Sequence, residues 1–183
     1  MTRLLTKLAD AMSWRTGVAA VRARLPAGSG DGEVTVDVPG YRQVNSYACG
    51  AVAGLMALHT FRPDVGARAF VARVAPDPDD GTPASRIVRA LEHHGVGARR
   101  RYDLDFDKIV RAIDQGCPII TLRNTSDPES SHWIVVYGYG VRPRRLFVGG
   151  NGLLRNPPVP WGTFRRQWSQ QGYGLVCSPR RRR

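Results

Sequence analysis

Val34, Val36 and Val38 alternate with Thr35 and Asp37 ahead of Pro39 and Gly40, the period of a half-buried strand closed by a breaker. Residues 49–58 then contain neither a charge nor a proline, which predicts a helix apolar on every side and therefore buried in the middle of the domain. A second helix is expected over 64–74. After the loop 76–81, Thr82 is placed to cap a third helix, with Pro83 at its first position and Gly95 as its stop. Phe106, Ile109, Val110 and Ile113 form the stripe of a fourth, over 105–115, ended by Gly116. Strands are expected at 96–102, 118–122, 132–139, 145–148 and 174–177. Helices first and an antiparallel sheet afterwards is the α+β pattern of two packed lobes. Leu4, Leu5, Leu8 and Met12 also fall at helical spacing, but 22–32 is polar, glycine-bearing and unpatterned. Residues 1–32 thus read as an extension and linker, 33–179 as the domain and 180–183 as a basic tail.

The 183 residues, 42% hydrophobic and 23% charged, suffice for one domain with a sizeable core. No run approaches the roughly 18 apolar residues of a membrane span, and the start lacks the apolar stretch of a secretory signal, so a cytoplasmic protein without integral membrane association is expected. The three cysteines, Cys49, Cys117 and Cys177, are odd in number and widely spaced, with only four histidines beside them. That argues against a disulfide scaffold and a zinc module, and no metal or cofactor is expected. The net charge of +12 raises an acidic partner. All the basic residues but Lys7 and Lys108 are arginine, however, and they scatter, with local runs only at 99–101, 144–145, 165–166 and 180–183. Weak electrostatic adsorption to acidic polymers is expected rather than nucleic-acid recognition, which wants aromatics interleaved with the basic residues.

Cys49, directly followed by Gly50, stands at the start of the buried helix. Backbone N–H groups and the positive end of the helix dipole favour a thiolate there. Gln43 lies six residues upstream, where its amide can join the Cys49 backbone N–H as an oxyanion hole. His132 opens a strand, and a hairpin centred between Val141 and Arg142 would set it opposite Asn151. A nucleophile needs a base, and the base needs a group that fixes its tautomer, so Cys49, His132 and Asn151 have a role each.

Three segments carry a family resemblance: 43–50, reading Gln-Val-Asn-Ser-Tyr-Ala-Cys-Gly; 131–139, reading Ser-His-Trp-Ile-Val-Val-Tyr-Gly-Tyr; and 113–120, reading Ile-Asp-Gln-Gly-Cys-Pro-Ile-Ile. Together they resemble papain-like cysteine peptidases, most closely the bacterial branch similar to double-glycine leader peptidases, which trim bacteriocin precursors. The resemblance covers roughly 41–168. It implies a papain-like two-lobed fold, with a helical lobe carrying Cys49 as nucleophile, a β-sheet lobe carrying His132 as base, a cleft between them for a peptide or protein substrate, and Gln43 as the oxyanion glutamine. That branch usually has an aspartate followed by proline after the next strand, where this chain reads Gly149-Gly150-Asn151-Gly152; asparagine in this role is like papain itself. The transport and ATPase portions that often accompany those peptidases have no counterpart here, so export-coupled processing is less expected.

Two other functions fit parts of the pattern: a phytochelatin-synthase-like transpeptidase, similar around Gln43 and Cys49, and an inactive papain-like module binding an acidic partner or nucleic acid. The intact Gln43, Cys49 and His132 argue against the second. His93 and His94 read as a helix end rather than ligands, residues 77–81 as a turn rather than a calcium loop, and Trp161 and Trp168 as core or cleft-wall aromatics.

Overall fold

The computed structural model describes residues 23–24, 32–43, 45–125, 131–150 and 156–180. Its centre is helix α1 (Cys49–Phe61), entered through a short 3-10 turn (Ser46–Ala48). As the uncharged stretch predicts, α1 is buried from Cys49 through His59. A helix without a polar face has to be covered on all sides. Helices α2 (Ala67–Val74) and α3 (Ala84–His93) cover one side, and a sheet covers the other. His59, polar at the end of this span, is satisfied within the core: its Nε2–H donates to the Val65 carbonyl at 2.7 Å and its Nδ1 accepts from the Tyr41 hydroxyl.

The sheet runs in the order β4 (Val96–Arg101), β9 (Gly174–Pro179), β5 (Ile119–Asn124), β6 (Ser131–Val141), β7 (Arg144–Gly149) and β8 (Val159–Pro160), with all neighbours antiparallel. β2 (Glu33–Thr35) adds to β6 beyond the end of β5. Strand alternation gives the sheet two buried faces. Trp133, Val135 and Tyr137 pack towards α1, while Ile134 and Val136 face a second core. That core is closed by α4 (Phe106–Asp114), α5 (Trp161–Gln167) and their aromatic side chains, among them Trp161 and Trp168. Asp105 caps α4, its carboxylate accepting from the Lys108 N–H at 2.8 Å, and Gly116 follows with φ +71°. The α+β, helix-lobe-on-sheet architecture read from the sequence is therefore the observed one. No described helix is long and apolar enough to cross a membrane.

Several local readings are corrected. The second helix starts at Ala67 rather than 64: Gly66 takes its cap position with an extended backbone, after a turn that carries the 2.8 Å Arg62–Asp64 ion pair. Thr82 does not cap α3. Pro83 takes the cap position with an extended backbone, and the Thr82 hydroxyl donates instead to the Tyr47 carbonyl at 3.4 Å. Pro39 and Gly40, expected only to end a strand, form β3 (Pro39–Gly40) and pair with β1 (Ala23–Arg24), so part of the expected extension lies against the domain. Helix α5 and strand β8 were not anticipated. Residues 77–81 do form a turn, in which the Asp77 carboxylate accepts from the N–H groups of Asp79 and Asp80. Among the described residues no group of acidic, histidine and cysteine side chains is arranged to hold a metal.

The two lobes are tied together beside α1 by one buried bond: the Trp133 indole N–H on β6 donates to the Thr82 carbonyl at 2.9 Å. Trp133→Phe keeps most of the apolar contact but leaves that buried carbonyl without its donor, so it should destabilise the fold by about 1–3 kcal/mol. Urea unfolding of the two proteins measures the difference.

Candidate active site

Strand β7 pairs with β6 only as far as Val135 opposite Gly149. The first residues of β6, including His132 and Trp133, therefore lack a β7 neighbour, and the start of α1 enters at that opening. The Cys49 sulfur there meets the His132 imidazole, the backbone N–H of Trp133 and the backbone N–H of Gly50. Gly50 is required by packing: a Cβ on it would sit 2.5 Å from Thr82 Cβ and 3.0 Å from Trp133 Cδ1. The Cys-Gly pair thus lets the helix start approach the sheet lobe closely enough for the thiol to reach His132.

Burial alone would push the Cys49 thiol up. The hydrogen bond to His132, the Trp133 N–H, the imidazolium charge and the Gly50 N–H outweigh it, and the net position lies below the ordinary thiol value of 9.0. His132 moves the opposite way. Burial works against its charge, but the Cys49 hydrogen bond, the Gly150 carbonyl and the thiolate charge prevail over that and over the repulsion of Arg123, leaving it above 6.5. Both shifts favour the same charge state, a thiolate beside an imidazolium. The other two thiols contrast with it: burial raises Cys117, and pushes Cys177 up to about 12.

His132 Nε2–H donates to the Gly150 carbonyl at 2.9 Å, which leaves Nδ1 for the thiol. Gly150 holds φ +101°, a backbone conformation that favours glycine and sets the direction of this carbonyl. The expected register is corrected at this point. The turn falls on Arg142 and Pro143, so Val141 pairs with Arg144, and a bulge between Val136 and Gly138 then shifts the ladder by one residue. Continued from Val135 opposite Gly149, this ladder does not set position 151 opposite His132. Asn151 itself lies outside the described residues. Gln43 is half-buried in the segment feeding α1, and its side-chain Nε2 donates to the Asn45 carbonyl.

A cleft of about 380 Å³ opens onto Cys49, walled by Tyr47, Thr82, Leu122, Trp133 and Tyr173. His59 is no rival base: it stands ten residues along α1 from Cys49, about 15 Å along the axis. The Gly150 carbonyl and the Trp133 N–H were not foreseen, because backbone groups leave no residue-type signal. Arg123, the cross-strand partner of His132 on β5, was not foreseen either, because it lies one residue past the expected strand end at 122 and pairing between strands leaves no signal at a single residue.

A model of the Peptidase C39 like family matches residues 35–175, most of the chain and every described residue of this site. The chain belongs to that family. This Peptidase C39 like protein is accordingly a papain-like cysteine peptidase. Its fold is similar to a double glycine motif protease from an AMS/PCAT transporter, solved in complex with the leader peptide, at 19% identity, covering 87% of this chain and 99% of that one with a TM-score of 0.59. It is also similar to a C39-like peptidase from Bacillus anthracis, at 14% identity over 83% and 100% of the two chains with a TM-score of 0.67. The peptidase domain of Streptococcus ComA, a bifunctional ABC transporter involved in quorum sensing, matches at 17% identity over 76% and 96%, with a TM-score of 0.59. No curated protein matches the chain in sequence.

The electrostatics give a direct expectation. A thiol reacts as its thiolate, which is populated above its pKa, so iodoacetamide near neutral pH should modify Cys49 and spare Cys117 and Cys177. His132→Ala removes the imidazole bond and charge and leaves burial to dominate, so the Cys49 labelling profile should move to more alkaline pH. Mass mapping of brief labelling across a pH series measures both; preferential modification of Cys117 or Cys177 would contradict the assignment.

Proposed function

We propose that the chain hydrolyses a peptide or amide bond in a peptide substrate through an acyl-Cys49 intermediate. The observation that carries this reading is the contact of the Cys49 thiol with His132 at the head of a buried helix, open to a cleft. In the first half-reaction the thiolate attacks the substrate carbonyl carbon. The negative charge passes to the carbonyl oxygen, for which the Cys49 backbone N–H is the proposed donor, joined by the Gln43 amide once its Nε2–H leaves the Asn45 carbonyl that it binds without substrate. Collapse breaks the C–N bond as the His132 imidazolium gives its proton to the departing amine, leaving a thioester and a neutral imidazole. Water then attacks the thioester, His132 takes its proton, and the acid departs as the thiolate reforms.

The Gly150 carbonyl supports the assignment of His132, because an imidazole whose Nε2–H is held has its other nitrogen free to exchange a proton with sulfur. Asn151 follows Gly150 directly and is proposed as a neutral second group for holding the ring. A peptide substrate is in keeping with the leader peptide bound by the AMS/PCAT protease. A module used for binding alone has no need of a thiol and an imidazole brought together in this way.

The proposal requires a bell-shaped pH dependence of kcat/KM. Activity is lost below the lowered Cys49 value, where the thiol is protonated, and above the raised His132 value, where the imidazole no longer carries the proton for the amine. Cys49→Ala and His132→Ala should abolish turnover, and Gln43→Ala should lower kcat by about 10²–10³ if its amide supports the oxyanion. Asn151→Ala should cost less than either of the first two, since the Gly150 carbonyl continues to hold the ring. Wild-type turnover in Asn151→Ala would remove it from the site, and retained Cys49→Ala activity would overturn the mechanism. Each variant is compared after circular dichroism has established its fold.

A further inference from the structure

Arg123 stands directly opposite His132 in the β5–β6 ladder, so both side chains leave the sheet on the same face. The two line a second cavity of about 220 Å³ together with Asn124, Thr125 and Ile134. Among the described residues no carboxylate pairs with the Arg123 guanidinium, as for most arginines of this basic chain; what sets Arg123 apart is its place beside His132. A permanent cation beside His132 opposes the imidazolium that must protonate the leaving amine, the smallest of the influences on that ring but one a bound anion would remove.

The two cavities share no described lining residue and, by strand alternation, open on opposite faces of the sheet, meeting at the Cys49–His132 contact, so a substrate engaging both would cross the start of β6. The acyl carbon bonds to sulfur, so the cleft that touches Cys49 receives the acyl side. The amine departs towards the proton on His132, so the cavity that touches His132 receives the leaving side. Resting on the peptidase reading above, we infer that Arg123 is a specificity-determining residue, which binds a carboxylate on the leaving fragment of the substrate next to His132. That carboxylate belongs either to an Asp or Glu side chain just after the scissile bond or to a free C-terminus a few residues away. Its binding would neutralise Arg123 and remove the repulsion on His132 in the complex where the proton is needed, so recognition and proton donation are linked.

The test is digestion of a proteome-derived peptide library by the wild type, Arg123→Gln, Arg123→Lys and Cys49→Ala, with cut sites read by mass spectrometry. A parallel library with amidated C-termini and the same sequences separates the two sources. The wild type should favour cuts followed by Asp or Glu, or cuts close to a free C-terminus that amidation abolishes, by roughly tenfold or more over neutral equivalents. Arg123→Gln should erase this preference, while Arg123→Lys, which keeps the charge but not the planar fork, should retain part of it. Cys49-dependent cutting with no carboxylate preference, or a preference that Arg123→Gln keeps, overturns the inference and leaves the peptidase reading standing. Absence of any Cys49-dependent cut overturns both.

Discussion

Everything at this site depends on bringing one sulfur atom, on the first turn of a buried helix, against one imidazole on the first turnless stretch of a strand. The contact is electrostatically delicate. Burial opposes the charge on either group alone, and the charged form of each is favoured because each supplies the other's counterion while backbone N–H groups and a carbonyl add hydrogen bonds. Separating the two by a few ångströms would leave two desolvated groups, each pushed back to its neutral form. The fold therefore has to hold the helical lobe and the sheet at fixed spacing.

Three features serve that spacing. Helix α1 is enclosed on all sides, so it cannot slide without opening the core. Gly50 allows the close approach to Thr82 and Trp133, and the Trp133–Thr82 bond joins the lobes beside it. The early divergence of β7 from β6 then frees the Trp133 N–H for the sulfur and turns the Gly150 carbonyl to the ring. An ordinary continuous hairpin would have spent those backbone groups on the ladder. The functional opening is thus a place where sheet pairing stops, bounded by a bulge two residues further along.

Much of this was legible in the sequence because the signals were strong and local. The uncharged run after Cys49 identified the buried helix, the stripe Phe106, Ile109, Ile113 identified α4, and the Gln-to-Cys and Ser-His-Trp segments pointed to the family. The thiol and imidazole that those segments singled out do meet in the structure. What failed was register. The hairpin turn lies at Arg142 and Pro143, and the bulge near Tyr137 adds a residue that no composition rule announces, so the pairing of His132 was misread. Thr82 looked like a cap by type, but its hydroxyl and carbonyl were already claimed by Tyr47 and Trp133, from distant parts of the chain. The Gly150 carbonyl, the Trp133 N–H and the cross-strand position of Arg123 are properties of tertiary placement, and residue identity carries no trace of them.

The central claim is the mutual charging of Cys49 and His132, and it is tested most directly by titrating the His132 imidazole by NMR in the wild type and in Cys49→Ala. The account predicts that His132 titrates above its ordinary value of 6.5 in the wild type and that its pKa falls when the sulfur is removed, because burial and Arg123 then act on it without the opposing thiolate. An imidazole that titrates identically in the two proteins would contradict it.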